Sequence, residues 1–387
     1  MRILHANNVR RGSGGSTRSC EASIAALRRA GVEVDVFLRD SKDIAGSVAG
    51  RLGALLDGLH GAAVVRDFAA RLRERRPDVV HVHELFPLIP PRVLATCAEA
   101  GIPVVMTCYD YRLTCPVATH RVRGEACFRC LGGREHWCVL RNCRGSLPES
   151  FAHALHNAAA RRAGHFDRNV ARYLPLSGHL RDFMVERQGI DPGRIAVSHP
   201  PIRLPEAPVA DPAAGAYVAY AGRFVPEKGV EVMVEACRRL GLPMRFSGDA
   251  PGHPAVREGD DATFGATWKS PEELAAFYRG ARVLVMPSLW PETFGIVAAE
   301  AMSHGVPVVA SRIGALPETV VDGETGLLAR PGDAADLADR IARVWNDPAL
   351  ARRLGSNGRR RVEEEFAEDV HVGRLVRVYE AVASRRG

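Results

Sequence analysis

Two glutamates, Glu292 and Glu300, flank a Phe294-Gly295 step in the stretch PETFGIVAAE (291–300). Two carboxylates at a short fixed spacing could serve as an acid/base pair for hydrolysis, as a metal clamp, or as two acceptors for the hydroxyls of one polar ligand. A second group lies upstream in YAGRFVPEKG (220–229), where a strand turns at Gly222 and delivers Arg223 and Lys228 ahead of a helix. Arginine offers a planar fork and lysine a point charge, a combination suited to a diphosphate. Lys228 is one of three lysines among 52 Lys and Arg, which sets it apart from the arginine background. PSLWPETFGIVAAEAMSHG (287–305) reads as a strand end, a turn with Thr293 as N-cap, and a helix from near Gly295 to Gly305. Such a helix start would point free N–H groups at an anion, and Gly295 would let a ligand approach the backbone. Glu292 then precedes the helix while Glu300 lies about two turns in. The pair cannot face one small ion, so hydroxyl recognition beside a bound phosphate is its better use.

These residues need a frame that presents them together. In the first half, RILHA and VEVDVFL flank the helical pattern SCEASIAALRRAG, and PDVVHVH and IPVVMTCY flank PRVLATCAEAG. Strand–helix–strand units of this length make a parallel, doubly wound sheet. The second half restarts the pattern with AYVAYAG, GVEVMVEACRRLG, MRFSG, ARVLVMPS, VPVVAS and TGLLA. Between them HPPIRLPEAPVADPAAGA (199–216) is rich in Pro and Ala without an apolar period and reads as a linker. At 387 residues two domains are expected, over 1–205 and 206–369, with an amphipathic helix at 370–387 packing back on the first. Two facing Rossmann-like domains would bind ligands in a cleft at the carboxyl ends of their strands.

The composition, 46% hydrophobic and 25% charged, is that of a globular protein, and no run of 18 apolar residues suggests a membrane span. MRILHANNVRRGSGG lacks an apolar h-region and reads as a strand entering a glycine-rich loop, so cytoplasmic residence is the default expectation. Net charge is +7, with 30 Lys/Arg against 19 Asp/Glu in residues 1–205 and the acidic excess in the rest. The first half would attract acidic partners, although so strong an arginine preference also matches plain genome composition. Nine cysteines are present, and Cys108, Cys115, Cys127, Cys130, Cys138 and Cys143 fall within 36 positions. CFRC is a C-x-x-C knuckle, and Cys115 and Cys143 on either side could complete a tetrahedral structural zinc site with Cys127 and Cys130. Cys138 or His136 could substitute as ligands, and an iron–sulfur cluster or free thiols are the alternatives.

The series GRFVPEKG, ELAAFYRGARVLVMPS, PETFGIVAAEAMSHGVPVVAS and GALPETVVDGETGLLARPGD resembles, over 218–335, the C-terminal domain of the retaining GT-B glycosyltransferases of family 4. The resemblance implies an α/β fold of GT-B type, with residues 1–205 binding an acceptor and 206–369 a nucleotide-sugar donor. In that family the first glutamate of the E-x7-E element binds the donor sugar, the second the ribose, and an Arg/Lys pair stabilises the diphosphate leaving group. Those roles fall to Glu292, Glu300, Arg223 and Lys228, with Phe294 and Gly295 beside the donor. GSGGSTRSCEASIAALRRAGVEVDV resembles the family's first glycine-rich loop and helix, which places Gly14 and Gly15 near both ligands. PDVVHVHE resembles its second strand, ending at His81 and His83, with His83 on the acceptor side.

VVMTCYDYRLTCP (104–116) resembles a subgroup stretch, T-x-H-D-Y-W-x-x-C-P, in which Tyr109 replaces the histidine and Arg112 the tryptophan, while Asp110, Tyr111, Cys115 and Pro116 match. In relatives that histidine contacts the donor sugar near its primary hydroxyl. Tyr109 and Asp110 are therefore expected at the donor, and the longer phenol points to a sugar without an ordinary 6-hydroxyl or to a shifted pose. The implied reaction is a front-face sugar transfer to a hydroxyl acceptor, with no cofactor or metal for catalysis and structural zinc as the one metal considered. Expected partners are a UDP, GDP or dTDP sugar and a hydroxyl acceptor, without nucleic acid, and with a peripheral membrane contact open through RDFAARLRERRP (66–77). A non-catalytic nucleotide-sugar binder on the same fold, a glycosidase or phosphorylase using Glu292 and Glu300, and a zinc-dependent nucleic-acid binder are the rival readings.

Overall fold

The computed structural model describes residues 1–9, 15–40, 61–206, 208–248, 253–257, 260–265 and 271–384. The chain divides into two compact units, Met1–Ser198 with His371–Gly387, and His199–Val370.

In the first unit, strand and helix alternate as β1 (Arg2–Val9), α1 (Gly15–Arg29), β2 (Glu33–Asp40), α2 (Ala62–Arg75), β3 (Val79–Val82), α3 (Arg92–Glu99) and β4 (Val104–Cys108). A loop-rich segment follows, holding the two-residue strands β5 (Arg121–Val122) and β6 (Glu125–Ala126) and the helices α4 (His136–Leu140), α5 (Leu147–Arg162) and α6 (His165–Asn169). β7 (Val170–Pro175) and α7 (Gly178–Gln188) complete the run, with Ser177 capping α7 by accepting from the Leu180 N–H. The sheet order is β2-β1-β3-β4-β7, and every pairing in it is parallel. VVHV of β3 and VVMTC of β4 are buried along their whole length, as strands covered on both faces must be. The sequence reading does not anticipate β7, because Arg172 and Tyr173 interrupt its apolar run.

The second unit is wound around β8 (Tyr217–Ala221), α8 (Val230–Leu240), β9 (Met244–Ser247), β10 (Ala262–Gly265), α9 (Pro271–Arg279), β11 (Ala281–Met286), α10 (Ile296–Ser303), β12 (Val308–Ser311), α11 (Leu316–Thr319), β13 (Gly326–Ala329), α12 (Ala334–Asn346) and α13 (Pro348–Arg361). Its sheet order is β10-β9-β8-β11-β12-β13, again parallel throughout. α12 shows why these segments are helical. Asp333 accepts from the Ala335 and Asp336 N–H groups at its start, and Leu337, Ala338, Ile341 and Val344 make one buried stripe.

One feature corrects the sequence reading. The stretch expected as a linker is packed along the second unit: Ile202 N–H donates to Phe366 O (2.8 Å), Ala210 N–H to His304 O (3.0 Å), and the Arg282 guanidinium to Pro212 O (3.2 Å). Its prolines and alanines remove side-chain periodicity, yet its backbone groups find partners in the unit, which starts at His199. The closing helix, α14 (Glu368–Ala383), places Leu375, Tyr379 and Val382 in one core with Ile3, Leu27, Val79, Val105 and Leu174 of the first unit.

The Tyr379 hydroxyl and His81 Nδ1 share a 2.6 Å hydrogen bond inside that core. Tyr379→Phe keeps the ring but strands a buried imidazole nitrogen, which costs about 1–3 kcal/mol. A lower urea midpoint for the transition that reports on the first unit is the expected result. An unchanged midpoint would show that this bond does not help hold α14 in place.

Candidate functional site

In the second unit, neighbouring strands β8 and β11 send out the two loops that carry the charged residues. After β8 the chain passes Arg223, which is exposed, and forms a 3-10 turn at Pro226–Lys228. Gly229 then takes φ 64° with its Cα hydrogen side against the β11 loop, where a Cβ would meet Pro287 O at 2.1 Å. This close approach brings Lys228 Nζ to 2.5 Å from Glu292 Oε1, and Ser288 Oγ donates to the same oxygen at 2.7 Å. The pair is part-buried, with 24% of the Lys228 and 14% of the Glu292 side chain exposed. The Glu292 backbone is fixed by Ala315 N–H (2.8 Å), and Gly314 (φ 60°) lies so close that a Cβ there would sit 2.5 Å from Glu292 N. Ser288, Gly229 and Gly314 were not singled out as site residues. Only contacts across loops reveal them.

Glu300 lies on α10, where Tyr278 donates its hydroxyl to Oε2 at 3.0 Å. The N-cap of α10 is Gly295 at φ 96°, not Thr293, because the left-handed turn at Gly295 lets its own carbonyl start the helix by accepting from Ala298 and Ala299. A Cβ on Gly295 would lie 2.7 Å from Leu316 Cδ2, and the φ of 96° itself favours glycine. The Phe294 side chain, expected beside a donor, is 2% exposed and packs against the His199 and Phe366 rings.

In the first unit the carboxyl ends of three adjacent strands supply a buried polar network. His5 on β1 stands in register with His81 on β3. His5 Nδ1 and His83 Nε2 lie 2.9 Å apart, His83 Nδ1 meets the Tyr109 hydroxyl at 2.8 Å, and His81 Nε2 meets Thr107 Oγ1 at 2.8 Å. His371 of α14 joins through Ser23 Oγ at 2.8 Å. Burial holds His83 down at about 3, with His371 adding to the effect, and pushes His5 and His81 well below the ordinary histidine range. The same burial raises the Tyr109 phenol. Among the described residues, His5, His81 and His83 form the one group of three whose ligand atoms lie within 4.8 Å of one another. Both ring nitrogens of His81 and of His83 already have hydrogen-bond partners, leaving His5 Nε2 as the one without. The arrangement is that of a neutral hydrogen-bonded network.

Beside it lies a cavity of about 230 Å³, lined among others by Glu84, Tyr109, Asp110, Arg112, Asn157 and Gln188. Asp110 Oδ1 accepts from the Arg112 N–H at 2.9 Å, and Asn157 donates to Arg112 O at 2.7 Å. The first unit thus gathers His83, Tyr109 and Asp110, and the second gathers Lys228 and Glu292. Gly15 opens α1 with its position exposed, whereas Gly14 falls outside the described residues. Cys115, Cys127, Cys130 and Cys143 all lie in the loop-rich segment, where Cys143 packs against the buried Cys130, and all nine cysteines are unpaired thiols.

The Glycosyltransferase Family 4 domain matches residues 13–205, and the Glycosyl transferases group 1 domain matches residues 209–361. The MMP alpha-(1->4)-mannosyltransferase of Mycolicibacterium hassiacum is 38% identical over 179 residues, 43% of each chain. The chain spans about half the length of the curated relatives it matches. Among solved structures, the sucrose-phosphate synthase of Thermosynechococcus elongatus superimposes with a TM-score of 0.72 at 22% identity, over 99% of both chains. Anabaena HepE in complex with UDP-glucose superimposes with a TM-score of 0.64 at 17% identity, over 98% of this chain and 100% of that one. Both likenesses establish the two-domain GT-B fold.

The histidine network makes stability pH-dependent in a defined direction. His83 binds its proton near 3 when folded and near 6.5 when unfolded, so the unfolded chain is protonated first. The contribution is complete above about pH 6.5 and is lost as pH falls towards 3, at about 1.4 kcal/mol per unit for each such histidine. With His5 and His81 shifted the same way, thermal unfolding at about pH 5 should begin well below that at about pH 7.5. Equal midpoints would contradict the neutral network.

Proposed function

Because the chain joins a Glycosyltransferase Family 4 domain to a Glycosyl transferases group 1 domain on a GT-B fold, we propose that it is a glycosyltransferase that moves a sugar from a nucleotide diphosphate to an acceptor hydroxyl with retention at the anomeric carbon. The observation that carries this reading is the Lys228–Glu292–Ser288 group, set where two adjacent parallel strands end. A carboxylate tied to an ammonium and a hydroxyl keeps lone pairs for sugar hydroxyls, and the ammonium sits where a leaving phosphate gains charge. Glu300, oriented by Tyr278, accepts from the ribose, and Arg223 adds its fork to the diphosphate.

In this reaction the bond between the anomeric carbon and the phosphate oxygen breaks, and the acceptor oxygen bonds to the same face of the sugar. The acceptor proton passes to the departing phosphate, so no protein nucleophile is consumed. Arg223 and Lys228 lower the barrier by stabilising charge on that phosphate, without a catalytic divalent ion. The first unit's cavity, with carboxylates, amides and a phenol on its wall, takes the acceptor. An acid/base role for Glu292, as in a glycosidase, fits less well, because Lys228 and Ser288 already hold one of its oxygens.

Thermal unfolding with UDP, GDP, dTDP and ADP in turn tests the donor site. UDP comes first because the HepE structure of similar fold holds UDP-glucose. A nucleotide present at about 100 times its dissociation constant adds roughly 2.7 kcal/mol, a visible upward shift. Stabilisation by none of the four would overturn the donor site. With a donor found, Lys228→Ala should slow transfer by about 10²–10³-fold, as loss of one transition-state charge partner does. The anomeric configuration of the product, read by NMR, decides retention.

A further inference from the structure

We propose that the loop-rich segment between β4 and α5 is a zinc-binding module in which Cys115, Cys127, Cys130 and Cys143 coordinate one ion and so fix a wall of the first unit's cavity. The segment lacks the usual means of holding a shape. Its regular structure is one hairpin of two-residue strands and a five-residue helix, and its core cluster contains only Cys130, Cys138 and Ala154 as buried members. Of the five described non-glycine residues with positive φ, four belong here: Ala118, His120, Arg123 and Asn142. A stretch with so little apolar burial needs a staple, and metals or disulfides are the usual ones in small folds.

The cysteines come from three stretches of the segment. Cys115 precedes the first turn, Cys127 and Cys130 follow the hairpin, and Cys143 follows α4. Cys143 packs against the buried Cys130 and Cys138 in one cluster. The turn at 117–120 folds back onto Cys115, where the His120 N–H donates to Sγ at 3.3 Å. His120 locks this turn to the knuckle by pairing with both backbone groups of Cys127. Arg121, Arg129, Arg134, Arg141 and Arg144 surround the cluster in sequence, and Arg141 acts on Cys143. A tetrathiolate zinc carries net negative charge, which that surround offsets.

The sulfurs do not stand within 4.8 Å of one another in threes. Binding therefore draws the side chains inward, each thiol releasing its proton to solvent as it coordinates. The consequence reaches the cavity, because Cys130, Gly132, Gly133 and Glu135 line it and Arg161 ties Glu135 to α5 at 2.7 Å.

The test is elemental analysis of the full chain purified without chelators, beside thiol counting before and after zinc removal. About one zinc per chain is expected, falling below about a tenth in Cys130→Ser and Cys143→Ser and kept in Cys237→Ala, whose thiol is in the second unit's core. If the serine variants do not fold, the unaltered protein still decides: removal of its zinc should expose about four further reactive thiols. The proposal fails if the protein holds no metal, carries iron with visible absorbance, or has fewer free thiols and a mass lower by two hydrogens per pair. It fails equally if zinc stays in the serine variants but leaves His83→Gln, which would assign it to the histidine group.

Discussion

A parallel sheet covered on both faces leaves one place for chemistry. VVHV of β3, VVMTC of β4 and ARVLVM of β11 are buried from end to end, so their polar neighbours can emerge only where the strands stop. Both units obey this constraint, and Lys228, Glu292, His83 and Tyr109 all follow the carboxyl ends of their strands. The two units answer it differently. The second places an ammonium and a carboxylate together at a part-exposed position, where water screens whatever a ligand does not. The first puts His5, His81 and His83 at 3% exposure or less, where a charge could not be solvated and the rings stay neutral.

Neutrality has a structural use. A neutral imidazole donates from one nitrogen and accepts at the other, so a chain of them fixes direction as well as distance. The run from His5 through His83 to the Tyr109 hydroxyl orients the phenol at the cavity, and the pair from Tyr379 to His81 to Thr107 ties α14 to β4. The helix that closes the chain thus shares a buried hydrogen-bonded core with the residues that line the cavity. Apolar contacts at Leu375 and Val382 hold the helix, while the polar ones set its register.

Much of this was legible in residues whose role depends on local pattern. β3 and β11 announce themselves as apolar runs, and Lys228, Glu292 and Glu300 stand out by type and spacing. What sequence could not give is whatever depends on contacts across loops. Gly229 and Gly314 are two glycines among 37 until the backbone of Pro287 or Glu292 is found against them. That a Cβ on Gly295 would meet Leu316 Cδ2 is likewise visible only in the fold. The strap at 199–216 failed to register because its backbone, not its side chains, makes the bonds.

Tyr109 and Arg112 both stand in the cavity wall. Tyr109 spends its hydroxyl on His83, extending the histidine network instead of ending it. Arg112 makes an aromatic contact, with its guanidinium 5.5 Å from the Phe86 ring centre. It also brings a positive charge 4.0 Å from both Glu84 and Asp110, and a hydrogen bond to Pro116 O at 3.2 Å. Glu84 is 7% exposed, and a carboxylate so placed needs a cation nearby. The wall is therefore charged and internally balanced, with the Tyr109 phenol and the Glu84, Asp110 and Arg112 side chains as its polar groups.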